Sequence, residues 1–352
     1  MSIIPEIHFE EVSGYEGDIG LITLTRQSAL NALNHRMFIA LNEQLAVWES
    51  AAHIKAVVIR AAEGRAFCAG GDIRHAYELK MKNDASIATF FCDEYQMNKR
   101  IHHFSKPYIA LLDGITMGGG VGISWHGSHR VATEKLIFSM PETGIGFYPD
   151  VGTTYYLSRC QHYLGFYLGL TGARIDAQDS IAVGFAQYLI AHDDLQKLLD
   201  TFIHSPLPDK LAVTTIIKNF SLPAGSSTLL AHQHEIETCF AKNTIETILH
   251  ELEKNPSPWC QQTAAIIKTK SPTSLKITLY ALQKAATLSF DECMQMEYRL
   301  TNRFVQGHDF FEGIRAAIID KDQSPQWNPK ELGDVKSSQV ESYFAPLEKE
   351  LI

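Results

Sequence analysis

Two stretches of this chain repeat one order: a short apolar run, a glycine-rich exit and a helical pattern. The first is Ala56-Val57-Val58-Ile59, followed by Gly64-Arg65-Ala66-Phe67-Cys68-Ala69-Gly70-Gly71-Asp72-Ile73-Arg74. The second is Lys106-Pro107-Tyr108-Ile109-Ala110-Leu111-Leu112, followed by Asp113-Gly114-Ile115-Thr116-Met117-Gly118-Gly119-Gly120. Continuous apolar runs of this length suit strands buried on both faces. The repeated order therefore predicts an α/β fold of stacked strand-helix units whose strand exits share one edge. Paired glycines at such an exit turn with positive φ and leave a backbone amide uncovered. A triple glycine that opens a helix gathers free amides at the positive helix end, which suits an anion or a developing oxyanion. Two such glycine amides facing each other would form an oxyanion hole. By itself, the first exit fits a plain strand-to-helix connection, with Asp72 as a cap, better than a ligand site.

Residues 7 to 24 read as a hairpin of two short strands, and Met37, Leu41, Leu45 and Trp48 mark the apolar face of a helix. A second helix, from about Ile87 to Phe104, carries Ile87, Phe90, Met97, Ile101 and Phe104 on one stripe, and Glu94 falls on that stripe too. Such a carboxylate either snorkels to solvent or points into a polar pocket, because burying it unpaired is costly. The run from Ser139 to Gly152 places Glu142 and Asp150 among Met, Ile, Phe and Tyr, with too much Gly and Pro for the interior of a helix or strand. It is either a solvated loop tip or a partly apolar pocket that tunes protonation. Beyond it the pattern is helical, from Tyr163 to Leu170, near Ala177 to Gly184, and again after Ser271-Pro272, a strong helix start. Turn formers at Ser205-Pro206-Leu207-Pro208 and Ser221-Leu222-Pro223-Ala224-Gly225 place a domain boundary there. Residues 1–205 then hold the core and the site, and residues 206–352 form a C-terminal helical region.

Composition narrows the function classes. A net charge of −9 excludes nucleic acid as an expected partner. No apolar run reaches the roughly 20 residues that span a bilayer, and the first residues lack an export signal, so no membrane association and a cytoplasmic location are expected. The six cysteines are scattered without a Cys-x-x-Cys pair, so neither a disulfide framework nor a zinc site is expected. His102-His103, His126 with His129, and His232 with His234 sit in no metal motif, and no metal is expected. Ser124, Ser128 and Ser158 lack the Gly-x-Ser-x-Gly elbow of a serine triad. The triple glycine lacks the Gly-Lys-Ser/Thr ending of a phosphate loop and the context of a dinucleotide fingerprint.

Ala66-Phe67-Cys68-Ala69-Gly70-Gly71-Asp72-Ile73, Gly118-Gly119-Gly120 and Met140-Pro141-Glu142, in that order, resemble the enoyl-CoA hydratase/isomerase (crotonase) superfamily. Within it, Phe147-Tyr148-Pro149-Asp150, Ser271-Pro272-Thr273-Ser274-Leu275, Met296-Glu297-Tyr298-Arg299-Leu300 and Phe311-Glu312-Gly313-Ile314-Arg315 resemble the 3-hydroxyisobutyryl-CoA hydrolase branch. The resemblance spans roughly residues 10 to 330 and implies a crotonase-like core of stacked ββα units in a superhelix. It implies that the amides of Gly71 and Gly119 hold a thioester carbonyl oxygen and that Glu142 is the principal catalytic carboxylate. Glu94 and Asp150 become partners in the substrate pocket, for the 3-hydroxyl group and for proton delivery. Hydratases of the superfamily carry a second glutamate where this chain has Gly122, and usually a small residue where it has Asp150. Both departures point from water addition toward acyl transfer to water. Glu142 either attacks the thioester, giving a mixed anhydride that water cleaves, or acts as general base on the water. No cofactor beyond the substrate's own CoA is implied. Arg26, Arg74 and Lys321 are candidates for the CoA phosphates. The expected activity is hydrolysis of 3-hydroxyisobutyryl-CoA in valine catabolism, with 3-hydroxypropionyl-CoA as a further candidate substrate. The alternatives are an enoyl-CoA hydratase/isomerase and a non-catalytic CoA-binding protein. Superfamily trimers imply a possible homo-oligomer, although the long C-terminal region could fold back on its own domain instead.

Overall fold

The computed structural model describes residues 5–351. Its strands are β1 (Ile7–Val12), β2 (Asp18–Leu24), β3 (Ile54–Ala61), β4 (Ala66–Cys68), β5 (Tyr108–Leu112), β6 (Ile115–Met117), β7 (His129–Thr133), β8 (Ile137–Ser139) and β9 (Tyr188–Ile190). The helices of the first half are α1 (His35–Ser50), α2 (Ile73–Met81), α3 (Ser86–His103), α4 (Gly119–Gly122), α5 (Thr153–Leu157), α6 (Leu164–Thr171), α7 (Ala177–Ala182) and α8 (Leu195–Ile203). Those of the second half are α9 (Lys210–Phe220), α10 (Gln233–Phe240), α11 (Ile245–Lys254), α12 (Pro258–Lys268), α13 (Pro272–Ala285), α14 (Phe290–Phe304), α15 (Asp309–Ile314) and α16 (Ser337–Tyr343). The chain divides into two compact units. The first comprises the residues up to Asp72, Gln96–Phe138 and Arg174–Thr228; the second comprises Ile73–Tyr95, Ser139–Ala173 and the residues from Leu229 on.

In the first unit the expected hairpin is present: β1 and β2 pair antiparallel, with Ile7 opposite Leu24 and Val12 opposite Ile19. The remaining pairs of the six-stranded sheet, ordered β1-β2-β3-β5-β7-β9, are parallel. A second sheet has the order β4-β6-β8. Successive strands alternate between the sheets, β3 then β4, β5 then β6, β7 then β8, which is the stacked ββα repeat that the resemblance implies; the two apolar runs and their exits predict its strand-helix order without the short second strands. Ile19, Leu21, Ala56, Val58, Ile109, Leu111, Val131 and Ile190 form one buried face of the large sheet, and Leu198, Leu199, Phe202, Val213 and Ile217 of α8 and α9 cover it. Ser205–Pro208 is therefore the turn of a helix hairpin lying on one sheet. The expected boundary near residue 205 does not match this division, because residues 206–228 belong with the sheet they cover.

In the second unit α13 is the central helix, buried along its length from Pro272 to Ala285. Its expected start is as read: the Ser271 side chain accepts the Ser274 amide and Pro272 takes the first helical turn. α14 begins with a capping box of Ser289 and Glu292. All regular elements after Thr228 are helical. The helix expected behind the triple glycine is only the four-residue α4. Glycines hold a helix poorly, and the Ser124 hydroxyl folds back onto the carbonyls of Gly120 at 2.8 Å and Val121 at 3.1 Å.

Candidate active site

The two glycine exits meet within the first unit. Leu33 forms a parallel bridge with Gly71, donating to the Gly70 carbonyl at 2.9 Å and accepting from the Asp72 amide at 2.8 Å. In that pattern Gly71 turns its own N–H away from Leu33. The loop is braced further by the Ala69 amide on the Leu30 carbonyl, 3.0 Å, and by the Asn31 side chain on the Ala66 carbonyl, 2.9 Å. A β-carbon on Gly70 would lie 3.8 Å from the Gly119 nitrogen, so the two exits are in van der Waals contact. A β-carbon on Gly120 would lie 2.1 Å from the Cys68 carbonyl oxygen, an approach that only glycine permits. Among the described residues, no loop or cap hydrogen bond takes the N–H of Gly71 or of Gly119.

The three predicted carboxylates come together in the second unit. Glu142 opens a single 3₁₀ turn, Glu142–Ile145, closed by Gly146 at φ 70°. A β-carbon on Gly146 would meet the Asp309 carbonyl oxygen at 2.1 Å, so α15 packs directly beneath the turn. Glu94, Glu142 and Asp150 are all buried, at 3%, 6% and 6% exposure. Phe91, Phe147, Phe304 and Phe310 form an aromatic cluster around the run, with the Phe147 and Phe310 rings 4.4 Å apart and the Phe91 and Phe147 rings 5.8 Å apart. Loss of water pushes Glu94 well above the usual carboxylate range, and the charges of Asp150 and Glu142 push it the same way. Burial, then the charge of Asp150, raises Glu142. Burial raises Asp150 to about 7, against the hydrogen bond from Tyr95, which lowers it. Oε2 of Glu142 is buried and has no hydrogen-bond partner among the described residues.

Glu297 stands in the sequence only as part of the Met296–Leu300 motif, yet it anchors the Asp150 turn. Its carboxylate accepts the Gly152 amide at 2.6 Å, the Thr154 amide at 3.1 Å and the Thr154 hydroxyl at 2.6 Å. Burial pushes it up to about 8 even so. The sequence likewise assigns no role to Tyr95, Tyr148 or Thr301. A signal for Glu297 and Thr301 did exist: both lie on the buried stripe of α14 with Cys293, Leu300 and Phe304, at three- and four-residue steps. A buried polar residue on such a stripe needs partners.

The CoA-phosphate candidates are dispersed. The Arg26 guanidinium is held by Asp72 at 2.7 Å and by the Ala32 carbonyl at 2.8 Å. Thus the Asp72 carboxylate pairs with an arginine. Arg74 is exposed and donates to the Ile318 carbonyl at 2.9 Å. Lys321 is exposed at φ 59°, between Asp320 and Asp322, both of which Arg315 binds at 2.7 Å. Among the described residues, one trio of metal-ligand type lies together, Glu11, Asp18 and His53 in the first unit. None of the predicted site residues is part of it, and Glu11 is already bonded to Trp48 at 2.9 Å and His53 at 3.1 Å.

Comparison with known proteins agrees with this geometry. The family model for enoyl-CoA hydratase/isomerase matches residues 19–344. The mitochondrial 3-hydroxyisobutyryl-CoA hydrolase of Rattus norvegicus is 42% identical over 336 residues, covering 94% of this chain and 87% of the relative. That of Homo sapiens is 40% identical over 337 residues, with the same coverage of 94% and 87%. A solved structure titled as a carnitinyl-CoA dehydratase from Mycobacterium thermoresistibile superposes with a TM-score of 0.91 at 36% identity, covering 99% of this chain and 98% of that one. One titled as an enoyl-CoA hydratase from Rhodobacter sphaeroides 2.4.1 gives 0.86 at 36% identity, covering 97% and 98%. With its alternating ββα strands and helical C-terminal region, the chain belongs to the enoyl-CoA hydratase/isomerase family of crotonase fold, in the branch of the 3-hydroxyisobutyryl-CoA hydrolases.

Proposed function

We propose that the protein hydrolyses the thioester of 3-hydroxyisobutyryl-CoA to 3-hydroxyisobutyrate and CoA, as a step of valine breakdown. The observation that carries the chemistry is Glu142, buried with one carboxylate oxygen unpartnered, in a turn that α15 holds from below. In this reading the Gly71 and Gly119 amides donate to the thioester oxygen as it becomes anionic, and one such donor is typically worth about 2.7–4 kcal/mol of barrier. Oε2 of Glu142 attacks the carbonyl carbon, the C–S bond breaks, and CoA leaves as a thiolate that takes up a proton. Water then cleaves the mixed anhydride, releasing the hydroxy acid and restoring the carboxylate. A carboxylate oxygen that accepts no hydrogen bond keeps its electron pairs free for attack on carbon or for a proton from water, and it is the family resemblance that favours the covalent route.

Asp150 and Glu94 receive the substrate's 3-hydroxyl group and supply or accept protons. A site built around that hydroxyl rejects analogues that lack it, because a buried polar group is then left unpaired. Arg74 and Lys321 are the better proposed cations for the CoA phosphates, since Arg26 is already neutralised by Asp72. A cytoplasmic location belongs to the same proposal and rests on composition, beside relatives named as mitochondrial enzymes; fractionation of cells expressing the tagged protein tests it.

A second reading, water addition to an enoyl-CoA, is favoured by the titles of the two solved structures. Against it stands Gly122, buried in α4, where the resemblance expects a second catalytic glutamate. Free-thiol release from 3-hydroxyisobutyryl-, 3-hydroxypropionyl-, isobutyryl- and crotonyl-CoA separates the two. Rapid release from the hydroxylated substrates supports hydrolysis; hydration of crotonyl-CoA without thiol release would establish the hydratase instead.

A further inference from the structure

Behind Asp150 lies a chain of three buried hydroxyls that neither the motifs nor the relatives assign. The Tyr95 hydroxyl donates to Oδ2 of Asp150 at 2.7 Å and lies 2.6 Å from the Thr301 hydroxyl. Thr301 in turn lies 2.8 Å from the Tyr148 hydroxyl, which donates to the Glu297 carbonyl at 2.6 Å. Each hydroxyl has one proton. Tyr95 has committed its own to Asp150 and Tyr148 its own to the Glu297 carbonyl, so the single Thr301 proton serves one of its two tyrosine contacts, and of the three hydroxyls only Tyr95 ends on the carboxylate. With the Thr301 proton on Tyr95, the donors run Thr301, Tyr95, Asp150 and end on the carboxylate, and the Tyr148 hydroxyl closes the cluster 3.3 Å from that of Tyr95. Chains of this kind polarise one another and strengthen the final bond.

We propose that Tyr95, backed by Thr301 and Tyr148, is the positioning residue for Asp150: it fixes the rotamer of the carboxylate and occupies one of its oxygens, leaving Oδ1 to face the substrate. The inference rests on the reading of Asp150 as a carboxylate that contacts substrate. Buried tyrosine hydroxyls usually find a partner, but these converge on a charged group, and α14 supplies both ends of the support. Thr301 backs Tyr95, while Glu297, one turn earlier, grips the amides of Gly152 and Thr154. Val151 and Gly152, both left-handed at φ 51° and 80°, are thus pinned directly behind Asp150. The titratable groups acting on Asp150 are Glu94 and Tyr95 of α3, Glu142 and Tyr148 of its own run, and Glu297 of α14. Of these only Tyr95 donates to its carboxylate, so removing that hydroxyl moves the titration of Asp150 upward.

The test is the pH profile of kcat/KM with 3-hydroxyisobutyryl-CoA for wild type, Tyr95→Phe, Thr301→Val and Asp150→Asn, each checked for folding by thermal melting. A hydrogen bond to a charged group is worth about 1.5–3 kcal/mol, and about 1.4 kcal/mol corresponds to one pH unit. The limb nearest pH 7 is expected to move up by about one unit in Tyr95→Phe, and in the same direction by less in Thr301→Val, which leaves the Tyr95 ring in place. Profiles of both variants superimposable on wild type overturn the inference. Full activity in Asp150→Asn overturns the reading of Asp150 beneath it, whereas a crippled Asp150→Asn with unmoved Tyr95→Phe and Thr301→Val profiles sinks the positioning role alone.

Discussion

The carboxylate of Glu297 accepts the amide of Gly152 at 2.6 Å, tying α14 to the turn that follows Asp150. With the two donors of Thr154, it satisfies three polar groups that have no access to water. Truncation to alanine strands all three. At about 1–3 kcal/mol for each unsatisfied group, Glu297→Ala is expected to lose at least about 3 kcal/mol in denaturant titration. Glu297→Gln, which keeps one acceptor oxygen, is expected to lose less. An alanine variant as stable as wild type would show that the turn stands without its anchor.

A substitution at Gly120 probes the amide site on its own. Its β-carbon would collide with the Cys68 carbonyl at 2.1 Å, so Gly120→Ala has to displace the backbone next to Gly119 without altering any acidic side chain. Loss of one oxyanion donor lowers kcat by roughly 10²–10³-fold. The expected result is a fall of that size in steady-state thiol release, with KM little changed. A fall confined to KM would remove Gly119 from the chemistry.

The buried carboxylates make stability depend on pH with a definite sign. Asp150 rises from its ordinary 3.8 to about 7 and Glu297 from 4.5 to about 8, so between these values the folded state binds more protons than the unfolded one. Stability from these groups is full below about pH 4 and is lost as pH rises through 7 to 8. Asp150→Asn removes one of them. Its melting temperature relative to wild type is expected to climb between pH 5 and pH 8.5, in differential scanning calorimetry at fixed ionic strength. A constant difference across that range contradicts the raised titration of Asp150.

Arg74 and Lys321 are exposed and lie outside the acidic cluster. If they meet the CoA phosphates, their binding energy is uniform between ground and transition states. The double alanine variant is then expected to raise KM roughly 3- to 10-fold with kcat unchanged, and added salt is expected to narrow the gap. Equal KM values at low salt would place the phosphates elsewhere.

Much of the fold was legible in the chain because buried parallel strands are continuous apolar runs, as at Ala56–Ile59 and Tyr108–Leu112. The short strands Ala66–Cys68 and Ile115–Met117 were not, since each is three residues long and hidden inside a glycine-rich exit. The break at Ser205–Pro208 was visible as turn chemistry, but turn residues look the same between two domains and between two helices on one sheet. What decides is the apolar face of Val213 and Ile217, buried on the same sheet as Leu198 and Phe202. Among site residues, Glu142, Asp150 and Glu94 stood out as carboxylates in apolar surroundings. Tyr95, Thr301 and Glu297 did not, because the sequence shows neither that Glu297 faces a backbone turn more than a hundred residues away nor that three hydroxyls close a chain onto Asp150.

The most direct measurement compares wild type with Glu142→Ala for free-thiol release from 3-hydroxyisobutyryl-CoA, with circular dichroism of both proteins. Wild type is expected to release CoA rapidly, and the folded variant to release almost none. Near-normal release by a well-folded Glu142→Ala would contradict the assignment of Glu142 as the catalytic carboxylate.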